Sequence, residues 1–228
     1  MSAAQDFDAD VIVVGAGPVG LTISNTLGQY GVKVLLLEKG EELIDYPRAA
    51  GMDDECLRSI QGIGLAGVVQ QHLTPYHWMR FVTASGRCFA SIEPRTDDFG
   101  WSRRNAFNQP AVDRELMDGL KRFANVEVWM GAELEKFDQD ASGVSRTVQH
   151  KGKVNQLRCK YLVASDGGRS FIRTTLGFGF GGFTDTSKWL VVDIRNDPLG
   201  VPNIYMHSDP QRPYVSVALP DGVRRFEF

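Results

Sequence analysis

The chain has 228 residues, 43% apolar and 10% aromatic, which is enough to bury a sizeable core and excludes extended disorder. Its 25 basic and 28 acidic residues leave a net charge of −3, so the sequence offers no basic field for nucleic acid or an anionic membrane. The three cysteines form no C-x-x-C pair and no apolar run is long enough for a leader or a bilayer span, which predicts a cytoplasmic chain without a disulfide framework or metal site.

The first 40 residues have the pattern of a strand, a helix and a second strand. Residues 10–14 and 33–37 are short apolar runs, as in strands buried on both faces of a parallel sheet. Between them Val19, Ile23 and Leu27 recur every four residues and predict the buried face of a helix. Together these elements predict a βαβ unit.

The remaining chain alternates between helical and strand patterns. A second helix is predicted to begin after Asp53 or Asp54, with Leu57 and Ile60 inward, and Pro110 opens a third. Short strands and hairpins occupy most of the rest. The predicted fold is therefore an α/β, nucleotide-binding domain with a parallel sheet, interrupted by a mainly antiparallel β domain. The α/β domain comprises residues 1–75 and 106–182, and the β domain comprises residues 76–105 and 183–228.

The last predicted strand ends on apolar residues, Phe226 and Phe228, without a polar tail. We therefore expect the sequence to be the amino-terminal part of a longer polypeptide.

Gly15, Gly17 and Gly20 form a G-x-G-x-x-G motif between the first strand and the first helix. Chance would give about 0.26 such matches in a chain with 24 glycines, so the motif alone is weak. A second match, residues 177–182, has no amphipathic helix after it and is predicted to be a plain connection. The position of the first match, inside a βαβ pattern, favours dinucleotide binding over a purely structural turn.

Each glycine of the first match has a predicted task. Gly15 permits the tight turn, Gly17 lets the backbone approach a diphosphate, and Gly20 lets helix and strand pack closely. The helix N-terminus favours the phosphate charge. Glu38, 18 positions beyond Gly20, can accept hydrogen bonds from both ribose hydroxyls and would repel a 2′-phosphate. This favours FAD or NAD over NADP, and the motif does not separate the first two. The predicted contacts are Gly15, Gly17, Pro18, Val19, Gly20, Glu38 and Lys39.

A second segment, residues 159–173, places Asp166 and Gly167 at the end of a predicted strand, where ligands bind in open α/β sheets. With this segment and the glycine motif, the chain resembles the FAD-dependent aromatic hydroxylases, the flavin monooxygenases related to para-hydroxybenzoate hydroxylase. Longer strings, such as LIDYPRAAGMDDECLRSIQGIGL, resemble the group of that family that acts on 3-(3-hydroxyphenyl)propionate. A third family signature, a later Gly-Asp segment, has no counterpart in the 228 residues.

The resemblance implies further site residues. It matches Arg48 to an arginine near the flavin phosphates, Gln109 to a glutamine at the ribityl chain, and Asp166 to a ribityl ligand whose segment also serves nicotinamide recognition. It matches Arg225 to an arginine beside the isoalloxazine, with Arg224 as the alternative register, and places Tyr205 in an aromatic pocket. Other roles stay open for these residues: a surface salt bridge for Arg48, helix capping for Gln109 and Asp166, and core packing for Tyr205.

The resemblance also implies the activity. NAD(P)H would reduce FAD, O₂ would add at C4a of the reduced flavin, and the hydroperoxide would hydroxylate a phenolic acid such as 3-(3-hydroxyphenyl)propionate. The expected partners are a small aromatic substrate and O₂, and homo-oligomerisation stays open. No catalytic base is identified, because the four histidines show no catalytic or metal-ligand arrangement. The alternatives are another FAD oxidoreductase of the same fold and a non-catalytic FAD-binding fragment.

Overall fold

A computed structural model describes residues 7–228. These residues contain 15 strands and five α-helices. The strands are β1 (Ala9–Val14), β2 (Val34–Glu38), β3 (Gly51–Asp53), β4 (Leu73–Pro75), β5 (Met79–Thr83), β6 (Cys88–Ile92), β7 (Arg104–Phe107), β8 (Val126–Met130), β9 (Ala132–Asp140), β10 (Gly143–His150), β11 (Lys153–Ala164), β12 (Val191–Arg195), β13 (Ile204–Ser208), β14 (Tyr214–Leu219) and β15 (Val223–Glu227). The helices are α1 (Pro18–Gln29), α2 (Asp54–Gly62), α3 (Ala66–Val69), α4 (Gln109–Leu120) and α5 (Phe171–Thr175). In the part of the chain so described, no helix has the length and apolar character needed to cross a bilayer.

The chain divides into two compact units. The first combines the residues up to Asp45 with Asp113–Gly181, and the second combines Tyr46–Val112 with Gly182–Phe228. The pattern-based domains differ from these units at residues 46–75 and 106–112 and at Gly182. Strands β3, β7 and β4 pair with one another in a small sheet of the second unit, which accounts for the two longer segments. Which segments serve the cofactor and which serve the substrate stays a prediction.

The first unit is built on a six-stranded sheet in the order β8-β2-β1-β11-β10-β9. Strands β8, β2, β1 and β11 are parallel, and the hairpin partners β10 and β9 continue the sheet in antiparallel pairing. The central strands bury Ile12, Leu35 and Leu37 completely or nearly so, as expected for strands covered on both faces. The predicted βαβ unit of β1, α1 and β2 is confirmed.

The predicted buried face of α1 is wrong. Val19 is 62% exposed, Ile23 and Leu27 are only half-buried, and the helix instead buries one leucine together with four small or polar residues. Those residues are Gly20, Leu21, Ser24, Asn25 and Gly28. A Cβ at Gly28 would lie 2.7 Å from the Phe123 ring and 2.8 Å from Val126, so close packing rather than apolar periodicity decides which face turns inward.

The second unit contains a sheet in the order β12-β15-β14-β13-β5-β6 in addition to the small sheet. All of its pairings are antiparallel except that of β13 with β5, which confirms the mainly antiparallel prediction. Helix α2 begins as expected: the Asp53 side chain accepts a hydrogen bond from the Cys56 amide at 2.8 Å, and Leu57 and Ile60 are buried.

Candidate functional site

The glycine motif of the first unit forms a tight turn between β1 and α1. Gly15 has a φ of +101°, and a Cβ there would lie 2.4 Å from the carbonyl oxygen of Ser165. A Cβ at Gly20 would lie 1.9 Å from the carbonyl oxygen of Gly15. Both positions therefore require glycine, for the turn and for close packing respectively. The Gly15 amide is bonded to the Leu37 carbonyl at 2.7 Å, which ties the turn to β2.

The middle glycine has open space around it. Among the described residues, and apart from its own chain neighbours and helix backbone, no atom lies within 4 Å of a Cβ built on Gly17. Gly17 is the N-cap of α1 and provides no side-chain cap, while Pro18 and Val19 in the first turn are exposed. The first amides of a helix lack partners within the helix, so this end presents hydrogen-bond donors and the positive end of the helix dipole to an approaching anion.

Glu38 lies directly beside this turn, at the end of β2. Its carboxylate accepts a hydrogen bond from the Ala16 amide at 2.8 Å and another from the Gly40 amide at 2.9 Å. A carboxylate has about four acceptor positions, so acceptor capacity remains for hydroxyl groups of a ligand. The adjacent Lys39 is exposed. The structure thus brings the acidic residue and the glycine turn together, as the motif spacing predicts.

The Asp166 segment meets the same turn from the other side. The Ser165 amide donates to the Val14 carbonyl at 2.8 Å. Asp166 is half-buried, and its carboxylate accepts hydrogen bonds from the Ser170 hydroxyl at 2.5 Å and the Ile172 amide at 3.2 Å. These contacts stabilise the first turn of α5, whose N-cap residue is Ser170, so Asp166 supports the cap without being the N-cap residue itself. Gly167 next to it has a φ of +77°. The role of Asp166 as a cofactor ligand stays a prediction.

In the second unit, Arg48 and Gln109 lie together. The Gln109 side-chain oxygen accepts hydrogen bonds from the Arg48 amide at 2.8 Å and the Ala49 amide at 2.9 Å. Gln109 is 5% exposed, whereas the Arg48 side chain is exposed and its guanidinium lies 3.4 Å from the Tyr46 hydroxyl.

Arg224 and Arg225 are both buried on β15, and each is paired with a carboxylate. Arg225 donates to Asp193 at 2.8 and 2.9 Å and to the Pro47 carbonyl at 2.7 Å. Arg224 donates to both oxygens of Asp197 at 2.7 Å. The hydrogen bonds to Asp193 raise the pKa of Arg225, and those from Arg224 lower the pKa of Asp197. Each of these two permanently charged guanidiniums is therefore held inside this unit by an ion pair with one carboxylate.

The remaining predicted residue, Tyr205, is half-buried on β13, with its ring centroid 6.3 Å from that of His207. The sequence did not indicate that His77 is buried; its side chain is 2% exposed. Burial lowers the pKa of His77 to about 4, so the ring is neutral at pH 7, and its Nε2 has no partner among the described residues. An isolated histidine before a strand carries no sequence signal for such burial.

Comparison with known proteins adds the family. Residues 8–224 match the family described as FAD binding domain. The chain belongs to this family. It is 61% identical over 227 residues to the 3-(3-hydroxy-phenyl)propionate/3-hydroxycinnamic acid hydroxylase of Comamonas testosteroni, covering 99% of this chain and 38% of that protein. The corresponding protein of Paraburkholderia xenovorans is 59% identical over 225 residues, covering 98% and 36%. This chain thus spans less than two fifths of the length of these relatives.

Solved structures confirm the fold class. The p-nitrophenol 4-monooxygenase of Pseudomonas putida superimposes with a TM-score of 0.90 at 25% identity, over 98% of this chain and 58% of the other. An aklavinone-11 hydroxylase, solved in complex with FAD and aklavinone, superimposes with a TM-score of 0.84 at 23% identity, over 98% of this chain and 46% of the other. The family match and the hydroxylase relatives confirm the resemblance to flavin monooxygenases, and the family match confirms the expectation of FAD as cofactor.

The residues of the first unit fit the adenosine diphosphate half of FAD. The open space at Gly17 and the uncapped first turn of α1 beside it would admit a diphosphate group. Glu38 stands at the same turn with acceptor capacity for ribose hydroxyls.

Proposed function

We propose that the protein carrying this chain is an FAD-dependent monooxygenase that hydroxylates a phenolic acid such as 3-(3-hydroxyphenyl)propionate, with NAD(P)H and O₂ as co-substrates. The observation that carries the proposal is the 61% identity, over 99% of the chain, to a protein named as a hydroxylase of that compound. We place the protein in the cytoplasm, in keeping with its three unpaired cysteines.

In this proposal, each group of residues has a role in holding FAD. The turn from Gly15 to Gly20 binds the diphosphate, and Glu38 accepts the ribose hydroxyls of the adenosine. Arg48 adds positive charge for the phosphates, and Asp166 receives a ribityl hydroxyl. The chemistry supplied by bound FAD is electron uptake from NAD(P)H and activation of O₂.

The protein must also orient the phenol and exclude water from the reacting atoms. Tyr205 is the proposed aromatic contact to the substrate, and its half-buried position on β13 supports this role. Arg225 is proposed to lie beside the isoalloxazine.

The test is an assay of the full polypeptide that carries this chain, loaded with FAD. We expect 3-(3-hydroxyphenyl)propionate to accelerate NAD(P)H oxidation and to be converted to a product with one added oxygen atom. The matched control is 3-phenylpropionate, which lacks the hydroxyl that activates the ring and should give no oxygenated product. If NAD(P)H oxidation is the same with and without phenolic acids, the hydroxylase proposal is wrong and another FAD oxidoreductase activity replaces it. If the protein binds FAD without oxidising NAD(P)H at all, it is a non-catalytic FAD-binding protein.

A further inference from the structure

The segment Tyr46–Ala50 of the second unit carries Arg48 and has no helix or strand of its own. A segment without regular hydrogen bonding depends on other groups to fix its backbone. At its last residue, the Phe107 amide donates to the Ala50 carbonyl at 3.3 Å, next to the start of the pairing of β3 with β7. The backbone around Arg48 itself lies outside this strand pairing.

Two buried side chains hold this backbone. Gln109 accepts from the amides of Arg48 and Ala49, and Arg225 donates to the carbonyl of Pro47. Gln109 is 5% exposed and Arg225 is 4% exposed, so both contacts are protected from water. A hydrogen bond in such surroundings is stronger than one at the surface. Three consecutive residues are thus fixed through their main-chain atoms, while the Arg48 side chain stays exposed.

The oxygen of Gln109 has no further capacity. A carbonyl oxygen has two lone pairs, and amides at 2.8 and 2.9 Å use both. A ribityl hydroxyl donating to the same oxygen would have to displace an amide. Gln109 is therefore poorly suited to bind flavin through this atom and well suited to fix the loop.

We propose that Gln109 is a positioning residue, which fixes the main chain of Arg48 through its side-chain oxygen so that the exposed guanidinium is presented to a phosphate-bearing ligand. Arg225 acts on the same segment through Pro47. The identity of the ligand as FAD rests on the proposed function above. The proposal assigns to the side-chain oxygen of Gln109 an action through Arg48 in place of accepting a hydrogen bond from a ribityl hydroxyl.

The first test needs no ligand. Amide hydrogen exchange, measured by NMR without FAD on the full polypeptide that carries this chain, should show Arg48 and Ala49 protected in the wild type. Gln109→Leu removes the acceptor at similar volume and should accelerate exchange of both amides about tenfold or more, since a hydrogen bond worth about 1.4 kcal/mol corresponds to a factor of ten. Gln109→Glu keeps an acceptor oxygen and should retain protection. Gln71→Leu, at an exposed position of the same unit, is the control and should leave both amides unchanged. Equal exchange in wild type and Gln109→Leu would overturn the proposal.

The second test asks whether Gln109 acts through Arg48. FAD affinity is measured for Arg48→Ala, Gln109→Leu and the double variant. We expect each single variant to weaken binding about tenfold and the double variant to bind no more weakly than Arg48→Ala, because the action of Gln109 requires the arginine. Multiplying effects would instead indicate an independent contact of Gln109 with FAD and would refute the positioning role. A wild-type protein that binds no FAD would contradict the proposed function, while the exchange measurement would still decide whether Gln109 fixes the loop.

Discussion

Replacing Gly20 by alanine should destabilise the first unit, whereas the same change at Gly17 should be almost neutral. The Cβ introduced by Gly20→Ala would lie 1.9 Å from the carbonyl oxygen of Gly15 and 3.3 Å from the Ser165 side chain. The obstructing atom belongs to the backbone, and that backbone is fixed by the bond from the Gly15 amide to Leu37 at 2.7 Å. The clash is therefore not relieved by rotating a side chain.

The size of the effect follows from two opposing contributions. Overpacking a close contact costs about 1–3 kcal/mol, and a backbone obstruction lies at the upper end of that range. Alanine in place of glycine inside a helix stabilises the folded state by about 1 kcal/mol. The expected loss for Gly20→Ala is thus about 2 kcal/mol, or about 4–8 °C in Tm. For Gly17→Ala the added methyl meets no non-neighbouring atom of residues 7–228 within 4 Å. The backbone, at φ −74° and ψ 177°, suits any residue, so the change should stay within about 1 kcal/mol.

The assay is thermal and urea unfolding of the wild type and both variants, followed by far-UV circular dichroism. Equal stability of Gly20→Ala and wild type would refute the close packing at this turn. A Gly17→Ala variant as unstable as Gly20→Ala would refute the assignment of open space to Gly17.

Three further predictions concern named side chains. His77 has a pKa near 4 in the folded protein and 6.5 in the unfolded chain, so the unfolded chain binds more protons between these pH values. Lowering the pH from 7.5 to 4.5 should therefore reduce the free energy of unfolding of the wild type by about 2–3 kcal/mol more than that of His77→Asn, as measured by urea unfolding at both pH values. Asp197→Ala leaves the fully buried Arg224 without its acid and should cost about 3 kcal/mol or more, whereas Asp118→Ala, which breaks an exposed pair, should cost less than about 1 kcal/mol in the same unfolding assay. Glu38→Gln should weaken FAD binding about tenfold in a fluorescence titration but leave binding of FMN, which lacks the adenosine, unchanged; equal effects on both would contradict the ribose role.

The βαβ unit and its site could be predicted from sequence because their signals are local. Gly15, Gly17, Gly20 and Glu38 lie within 24 positions of one another, and their tasks follow from turn geometry and helix packing. The structure places all four at one turn.

Long-range packing set the limit of sequence prediction. The buried face of α1 was missed because Gly28 and Asn25 face inward, and Asn25 donates to the Leu116 carbonyl, 91 positions away, at 2.8 Å. Strand β9 was not predicted because its buried residues, Ala132, Leu134 and Phe137, break the alternation of a regular strand, at a register shift opposite β10.

The roles of the polar site residues depend equally on distant partners. Gln109 binds amides 60 and 61 positions earlier, and Arg225 binds a carbonyl 178 positions earlier. No local pattern indicates which backbone groups such side chains will find, so only their identity as polar candidates could be read from the sequence.

The central claim is that the turn from Gly15 to Gly20 holds the diphosphate of FAD. The most direct measurement is an FAD titration of the wild type and Gly17→Val, followed by flavin fluorescence, with Tm recorded for both. We predict that Gly17→Val weakens FAD binding about a hundredfold, equivalent to about 2.7 kcal/mol, because its side chain occupies the open space at the helix N-terminus. Valine is a poorer N-cap residue than glycine, so Tm should fall by no more than about 4 °C. Unchanged affinity in Gly17→Val would show that the diphosphate binds elsewhere and would contradict the account.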